Sequence, residues 1–372
     1  MNRSLIIIVL LFVSACSPTE TPMPITATAE ASATNSPVPE STSIPSPCPT
    51  AVENIATCPP LDVIPVIYDD DGSPDGTTAL LYLLNHPEVD LKAVNLSFGE
   101  VYPEVYIQHL ARMMDDFGII HIALGYGQKP ETTDNIHFPE SIREASSNFW
   151  GFPIPNAEKT YQAHPSPELI VSVLRQSPQP ITLFVTGPCT NLAEALRMDP
   201  EIKENISAVY IMGGAVYVPG NVHDFYPEHG NVVAEWNFVA DPQAANDVFE
   251  SGLDIYLVPL DATNQVFVSR QDTNEWRRGG EIADFAAEIY DWLMNVFDRE
   301  DAAIWDLMTA VIMLEPDLCD FTPLNLTVIT EPGNKLGQSA VLSEGEPNVS
   351  VCLEPKADMI RQALVDIFSS SK

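Results

Sequence analysis

From residue 61 onward, short apolar runs alternate with amphipathic stretches. Val63-Ile64-Pro65-Val66-Ile67-Tyr68 has the length and continuity of a buried strand, and an acidic turn follows it. Apolar positions then recur at helical spacing over residues 77–85. Residues 91–97 read as a second strand, 104–117 as a helix and 121–124 as a short third strand. The alternation continues with helices over 167–176, 192–198 and 242–251, and strands over 181–185, 208–212 and 255–258. Residues 281–314 are mostly helical in pattern. Residues 326–329, 338–342 and 349–353 predict a small C-terminal sheet, and 356–369 a closing helix. Strands alternating with helices predict an α/β fold, a mostly parallel twisted sheet with helices on both faces. In such a sheet, ligands bind beyond the carboxyl ends of the strands, so the chemistry is expected just after each strand.

The N-terminal residues break this pattern. Asn2 and Arg3 precede an apolar run over 5–13 that is too short to span a bilayer and ends in Val13-Ser14-Ala15-Cys16. That ending resembles a bacterial lipobox, so residues 1–16 read as a lipoprotein signal peptide with Cys16 as the lipidated residue. The expectation is an extracytoplasmic protein anchored to a bacterial membrane. Residues 17–60 hold ten prolines, many Ser and Thr, and no Lys or Arg. Such a segment cannot bury a core and reads as a disordered tether. Residues 61–372 remain for one large folded domain.

Charge narrows the partners. The 372-residue chain carries 52 acidic and 17 basic residues, a formal net charge of −35. That field repels nucleic acids and excludes them as partners. Cysteine usage excludes zinc, since no Cys-x-x-Cys or His-x-x-x-His occurs. Apart from Cys16, the cysteines are Cys48, Cys58, Cys189, Cys319 and Cys352. Export permits disulfides, with Cys48–Cys58 and Cys319–Cys352 as plausible pairs that leave Cys189 free.

The acidic turn is Asp69-Asp70-Asp71-Gly72-Ser73-Pro74-Asp75-Gly76. Carboxylates this close repel one another, and a bound hard cation removes the penalty. Gly72, Pro74 and Gly76 permit a tight turn that gathers the side chains. An EF-hand is excluded, because no Glu stands at the twelfth position of a Gly-centred loop.

The ordered motifs resemble those of the inosine-uridine-preferring nucleoside hydrolases over residues 62 to about 367. That family opens with a strand and Asp-x-Asp-x-x-x-Asp-Asp, where this chain has Asp69 to Gly76. Its Gly-Asn after the second strand corresponds to Gly99-Glu100. Its Thr-Gly-x-x-Thr-Asn is Thr186-Gly187-Pro188-Cys189-Thr190-Asn191, and its Met-Gly-Gly is Met212-Gly213-Gly214. Gly220-Asn221, Ala234-Glu235-Trp236-Asn237 and Asp241-Pro242 follow in order. Trp305-Asp306 stands where the family has His-Asp.

The resemblance implies calcium-dependent hydrolysis of the N-glycosidic bond of ribonucleosides, giving ribose and a free base. It implies Asp71 as calcium ligand and general base, with Asp75, the Thr186 carbonyl and Asp306 as further ligands. Asp75, Glu100, Asn221, Glu235 and Asn237 would contact the ribose, with Met212 beneath it. Trp236 and Trp305 would stack on the base. The family's second Asp of the Asp-Asp pair is Gly76 here, with Asp69, Asp70, Asp75 or water to supply the missing oxygens. His223 and His229 lie in an insertion and are candidates for an acid. That insertion makes Asn231 a second candidate for the role of Asn221. Asn191 is expected to cap the following helix. Homo-oligomers are common in the resembling family. A lipid-anchored nucleoside-binding protein or an inactive relative would share the pocket but not the water chemistry.

Overall fold

The structure is a computed structural model that describes residues 63–128, 136–152, 160–224 and 226–370. Cys16, the tether and the proposed Cys48–Cys58 pair lie outside the described residues.

Along the chain, β1 (Ile64–Asp70) leads into α1 (Pro74–Asn85), then β2 (Val89–Leu96), α2 (Pro103–Asp116), β3 (Ala123–Tyr126) and α3 (Glu140–Ser147). Next come β4 (His164–Pro165), α4 (Ser166–Gln176), β5 (Ile181–Val185), α5 (Thr190–Met198), β6 (Ile206–Met212), α6 (Trp236–Ala240), α7 (Pro242–Phe249) and β7 (Ile255–Val258). The remainder is α8 (Leu260–Thr263), β8 (Phe267–Ser269), α9 (Arg270–Trp276), α10 (Glu281–Val296), β9 (Asp301–Ala303), α11 (Asp306–Leu314), β10 (Cys319–Leu324), β11 (Leu326–Val328), β12 (Ser339–Val341), β13 (Val349–Pro355) and α12 (Ala357–Ser369).

The main sheet has nine strands in the order β10-β13-β7-β6-β5-β1-β2-β3-β4. All neighbours pair in parallel except β10 with β13. Alternation along each strand splits the core in two. Val66, Tyr68, Val94, Leu96, Phe184 and Tyr210 pack on one face with α1, α2, α10, α11 and α12. Ile67, Ala93, Leu183, Val185, Val209 and Ile211 pack on the other with α4, α5 and α7. Helices on both faces explain why the central strands are continuously apolar.

Residues 281–314 are mostly helical as expected, with β9 between α10 and α11 pairing antiparallel with β8, and one sequence expectation needs correction. Residues 349–353 do not join the small C-terminal sheet. Only β11 and β12 form that pair, while β13 lies parallel to β7 in the main sheet. An alternating run such as Val349-Ser350-Val351 is compatible with either sheet, and only packing selects one.

Cys319 of β10 is disulfide-bonded to Cys352 of β13, 33 residues on, as proposed. Cys189 is free and buried. Closing that loop restricts the unfolded chain, so replacing both cysteines with alanine should cost about 3–4 kcal/mol of stability. Urea unfolding of the oxidised protein and the double variant measures this, and coincident midpoints would refute it.

Candidate active site

The site forms where the strand order reverses, around the carboxyl ends of β1, β2, β5 and β6. Beyond the strands, the ladders continue into the loops. Thr186 N donates to Asp69 O at 2.8 Å, and Ser97 N donates to Asp70 O at 2.7 Å. The β1 loop is thereby fastened on both sides. Gly72 then turns the chain at φ +87°, where a Cβ would strike Val101 at 2.6 Å. Ser73 caps α1 by accepting from Gly76 N at 2.7 Å, with Pro74 in its first turn.

Asp69, Asp70, Asp71, Asp75, Glu100 and Asp306 are all buried. Asp71 Oδ2 accepts from Glu100 N at 2.9 Å. Asp70 Oδ1 accepts from Thr186 Oγ1 at 2.8 Å, and its Oδ2 from Gly72 N at 3.0 Å. Asp306 Oδ2 accepts from Ser73 Oγ at 2.9 Å. Burial pushes the Asp71 carboxyl well above its usual range, with repulsion from Asp70 and Glu100 adding to it. Burial does the same for Asp306, followed by repulsion from Asp75, Asp70 and Asp71. Residue 306, far from residue 71 in sequence, thus meets the same turn at Ser73. Burial also lifts Glu100 and Asp69 to about 8. Asp69 Oδ2 is buried with no hydrogen-bond partner.

This donor set is all oxygen and strongly anionic, which fits a hard divalent cation. Among the described residues, no three His, Cys, Asp or Glu side chains converge as ready-made ligands. Each carboxylate named above is instead turned onto a protein donor. The fit is therefore one of chemistry and neighbourhood.

A second group lies on the β6 side. Glu235 caps α6, its Oε1 accepting from Asn237 N at 3.0 Å and its Oε2 from Gly214 N at 2.9 Å. Burial raises its carboxyl to about 7, opposed by these backbone donors. Asn237 Nδ2 donates to the Thr186 carbonyl at 2.9 Å and to the Met212 carbonyl at 3.1 Å. It thus ties the ends of β5 and β6 together. Trp305 packs with Met212, Ala215 and Leu260 and donates from Nε1 to Asn264 Oδ1 at 3.3 Å. Met212 and Trp305 are thereby brought together.

Other expected residues are held by protein partners. Asp75 was expected to touch metal and ribose. Its Oδ2 accepts from Asp306 N at 2.5 Å, and its Oδ1 accepts from the Tyr290 hydroxyl and from Leu307 N at 3.4 Å. It holds the first turn of α11 and so positions Asp306. Asn191 does not cap α5. It lies inside the helix and donates from Nδ2 to Asp69 Oδ1 at 2.8 Å. Trp236 is buried, its ring stacked on Phe138 at 4.3 Å and tilted toward Tyr226 at 6.1 Å. Those contacts make it part of the core around α6.

Asn221 and Asn231 separate clearly. Asn231 Oδ1 accepts from Val233 N and Ala234 N, and its Nδ2 donates to Leu336 O, so it braces its own loop. Asn221 is only half-buried and accepts from Trp236 N at 3.1 Å, which places it beside Glu235. His223 pairs with Asp224 at 3.1 Å.

Sequence reasoning missed the contribution of α3. Arg143 is buried, donates to Gly99 O at 3.0 Å and lies 4.3 Å over the Phe98 ring. Ser146 Oγ donates to Glu100 Oε1 at 3.0 Å, and Ser147 Oγ accepts from Tyr102 N at 2.7 Å. Together they clamp the loop that carries Glu100. No spacing rule links residues 143–147 to 97–102, so the sequence carried no signal for this contact.

Residues 66–362 match the model of the family described as inosine-uridine preferring nucleoside hydrolase. The chain belongs to this family. A pyrimidine-specific ribonucleoside hydrolase of Citrobacter koseri is 30% identical over 318 residues, covering 82% of this chain and 97% of that protein. An inosine-uridine preferring nucleoside hydrolase from Bacillus anthracis superposes with a TM-score of 0.68 at 27% identity, over 82% of this chain and 99% of that one. A purine-preferring ribonucleoside hydrolase from Gardnerella vaginalis, at 23% identity and a TM-score of 0.70 over 82% and 98% of the chains, shares the fold. This chain is accordingly a nucleoside hydrolase, an enzyme acting on ribonucleosides, as its motifs implied.

Proposed function

We propose that this enzyme cleaves the N-glycosidic bond of ribonucleosides with a calcium ion held by Asp71, Asp306 and the Thr186 carbonyl. The observation that carries the reading is the approach of loops distant in sequence: Asp71 packs against Gly187, next to Thr186, and Asp306 accepts from Ser73 Oγ, two residues from Asp71. When bound, the ion supplies positive charge that lets the carboxylates ionise and orients both water and the ribose diol. Asp71 accepts the proton of the attacking water at a carboxylate oxygen. Positive charge builds on the ribose ring as the bond breaks. The buried carboxylates of Glu100 and Glu235 stabilise that charge without reorganising. Asn221, Glu235 and Asn237 hold the sugar, Met212 packs beneath it and Trp305 stacks on the base. An indole supplies no proton near neutral pH, so the base takes its proton from solvent.

The relative from Citrobacter koseri is named for pyrimidine ribonucleosides, so uridine is the first substrate to test, with inosine beside it. Ribose release by the purified protein, followed by a reducing-sugar assay with calcium present, tests the reading. Binding of uridine without ribose release would favour a nucleoside receptor instead.

The N-terminal sequence supports a location outside the cytoplasm, with Cys16 lipidated and residues 17–60 as the tether. Radiolabelled palmitate should label the wild-type chain and not Cys16→Ala, and equal labelling would reject the anchor.

A further inference from the structure

Position 76, which carries an aspartate in the family motif, is glycine in this chain. The structure shows what occupies the vacated space. A Cβ built on Gly76 would lie 2.0 Å from Asp70 Oδ1, 2.5 Å from its Cγ and 2.6 Å from its Oδ2. All three atoms of the Asp70 carboxylate thus crowd the point where a side chain at 76 would begin. No residue larger than glycine fits there unless Asp70 moves.

Asp70 also stands at the junction of the loops that carry the proposed ligands. Its Oδ1 receives the hydroxyl of Thr186, the residue whose carbonyl is a proposed ligand. Its Oδ2 receives Gly72 N within the turn. Thr186 Oγ1 and Gly72 N donate to one oxygen each, and the Asp71 N–H and the Tyr68 hydroxyl also act on the carboxylate, so a cation bound by Asp70 would take the place of one of these donors. Ligating carboxylates are themselves commonly hydrogen-bonded, and the remaining donors would fix the orientation.

We propose that Asp70 supplies the third carboxylate of the metal site, and that Gly76 is glycine because Asp70 takes up the space of its side chain. The acidic charge has moved six residues along the turn without leaving the site. Asp75 is engaged at both oxygens by the start of α11, and none of the three atoms nearest the vacated space at position 76 belongs to Asp69. The inference rests on the metal-dependent reading above and adds a ligand that the family motif does not contain.

Calcium calorimetry and terbium luminescence on the full chain, after chelation, provide the test. Asp70→Ala should weaken binding by about 100-fold or more, on the scale of losses at metal sites. Gly76→Asp alone should weaken it too, because two carboxylates collide. The double variant Asp70→Ala/Gly76→Asp should restore affinity to within about tenfold of wild type by returning the charge to position 76. Wild-type affinity in Asp70→Ala overturns the inference, as does a double variant that fails to regain binding. If the wild type binds calcium and releases ribose while Asp70→Ala binds equally well, only this inference falls. If the wild type binds no calcium at millimolar concentration, the metal-dependent reading falls with it.

Discussion

Asp71→Asn should lower the rate of ribose release from uridine by about a thousandfold, within the range for loss of a general base. The amide matches the carboxylate in size and can still accept from Glu100 N through its oxygen. What it loses is the ability to take a proton and one negative charge. Because burial, Asp70 and Glu100 all disfavour the ionised form of Asp71, removing that charge relieves repulsion in the metal-free protein. Thermal stability without metal should therefore hold steady or rise while activity collapses. That opposite movement separates a chemical role from a structural one. Ribose release at the wild-type rate, with the variant folded by near-ultraviolet circular dichroism, would reject Asp71 as the base.

Chelation should have the second large effect. After exhaustive dialysis against a calcium chelator, activity should fall by at least about 100-fold and return on adding calcium. Magnesium should restore it poorly, since it demands a smaller, near-octahedral set of ligands and sheds water reluctantly. Stability should follow the metal. A ligand at a thousand times its Kd contributes about 4 kcal/mol to the folded state, which corresponds to a Tm rise on the order of 10 °C for a domain of this size. The physical source is burial of the carboxylates, with mutual repulsion added, which raises Asp71, Asp306 and Glu100 together. Activity and Tm that ignore both chelator and calcium would reject a metal-dependent mechanism.

Clamping by α3 makes the site less tolerant than its motifs suggest. Glu100 sits in a loop braced by Arg143, Ser146 and Ser147. Asp306 owes its position to Asp75 and Ser73. Residues distant from the chemistry thus set where the carboxylates point.

Much of this was legible in the chain. The apolar runs at 181–185 and 255–258 became β5 and β7 with those bounds, because a strand buried on both faces leaves an unbroken apolar signature. Asp71, Thr186 and Met212 were singled out by the family resemblance, and they stand at or just beyond strand ends, which in a parallel sheet converge on one edge. Other roles were not legible. Asn191 looks like a helix cap in sequence, yet it serves Asp69, since its tertiary partner outcompetes the local one. Trp236 looks like a stacking platform, yet Phe138 and Tyr226 enclose it.

The sequence by itself determined the alternation of strands and helices, the acidic turn after β1 and the order of polar motifs along the chain. These follow from local pattern and spacing, which act over a few residues. Tertiary structure alone decided that β13 completes the main sheet, that Asp75 holds the start of α11 and that Asp70 fills the space beside Gly76. Each of those depends on atoms brought together across many residues, and side-chain volume and repulsion act only once that approach has been made.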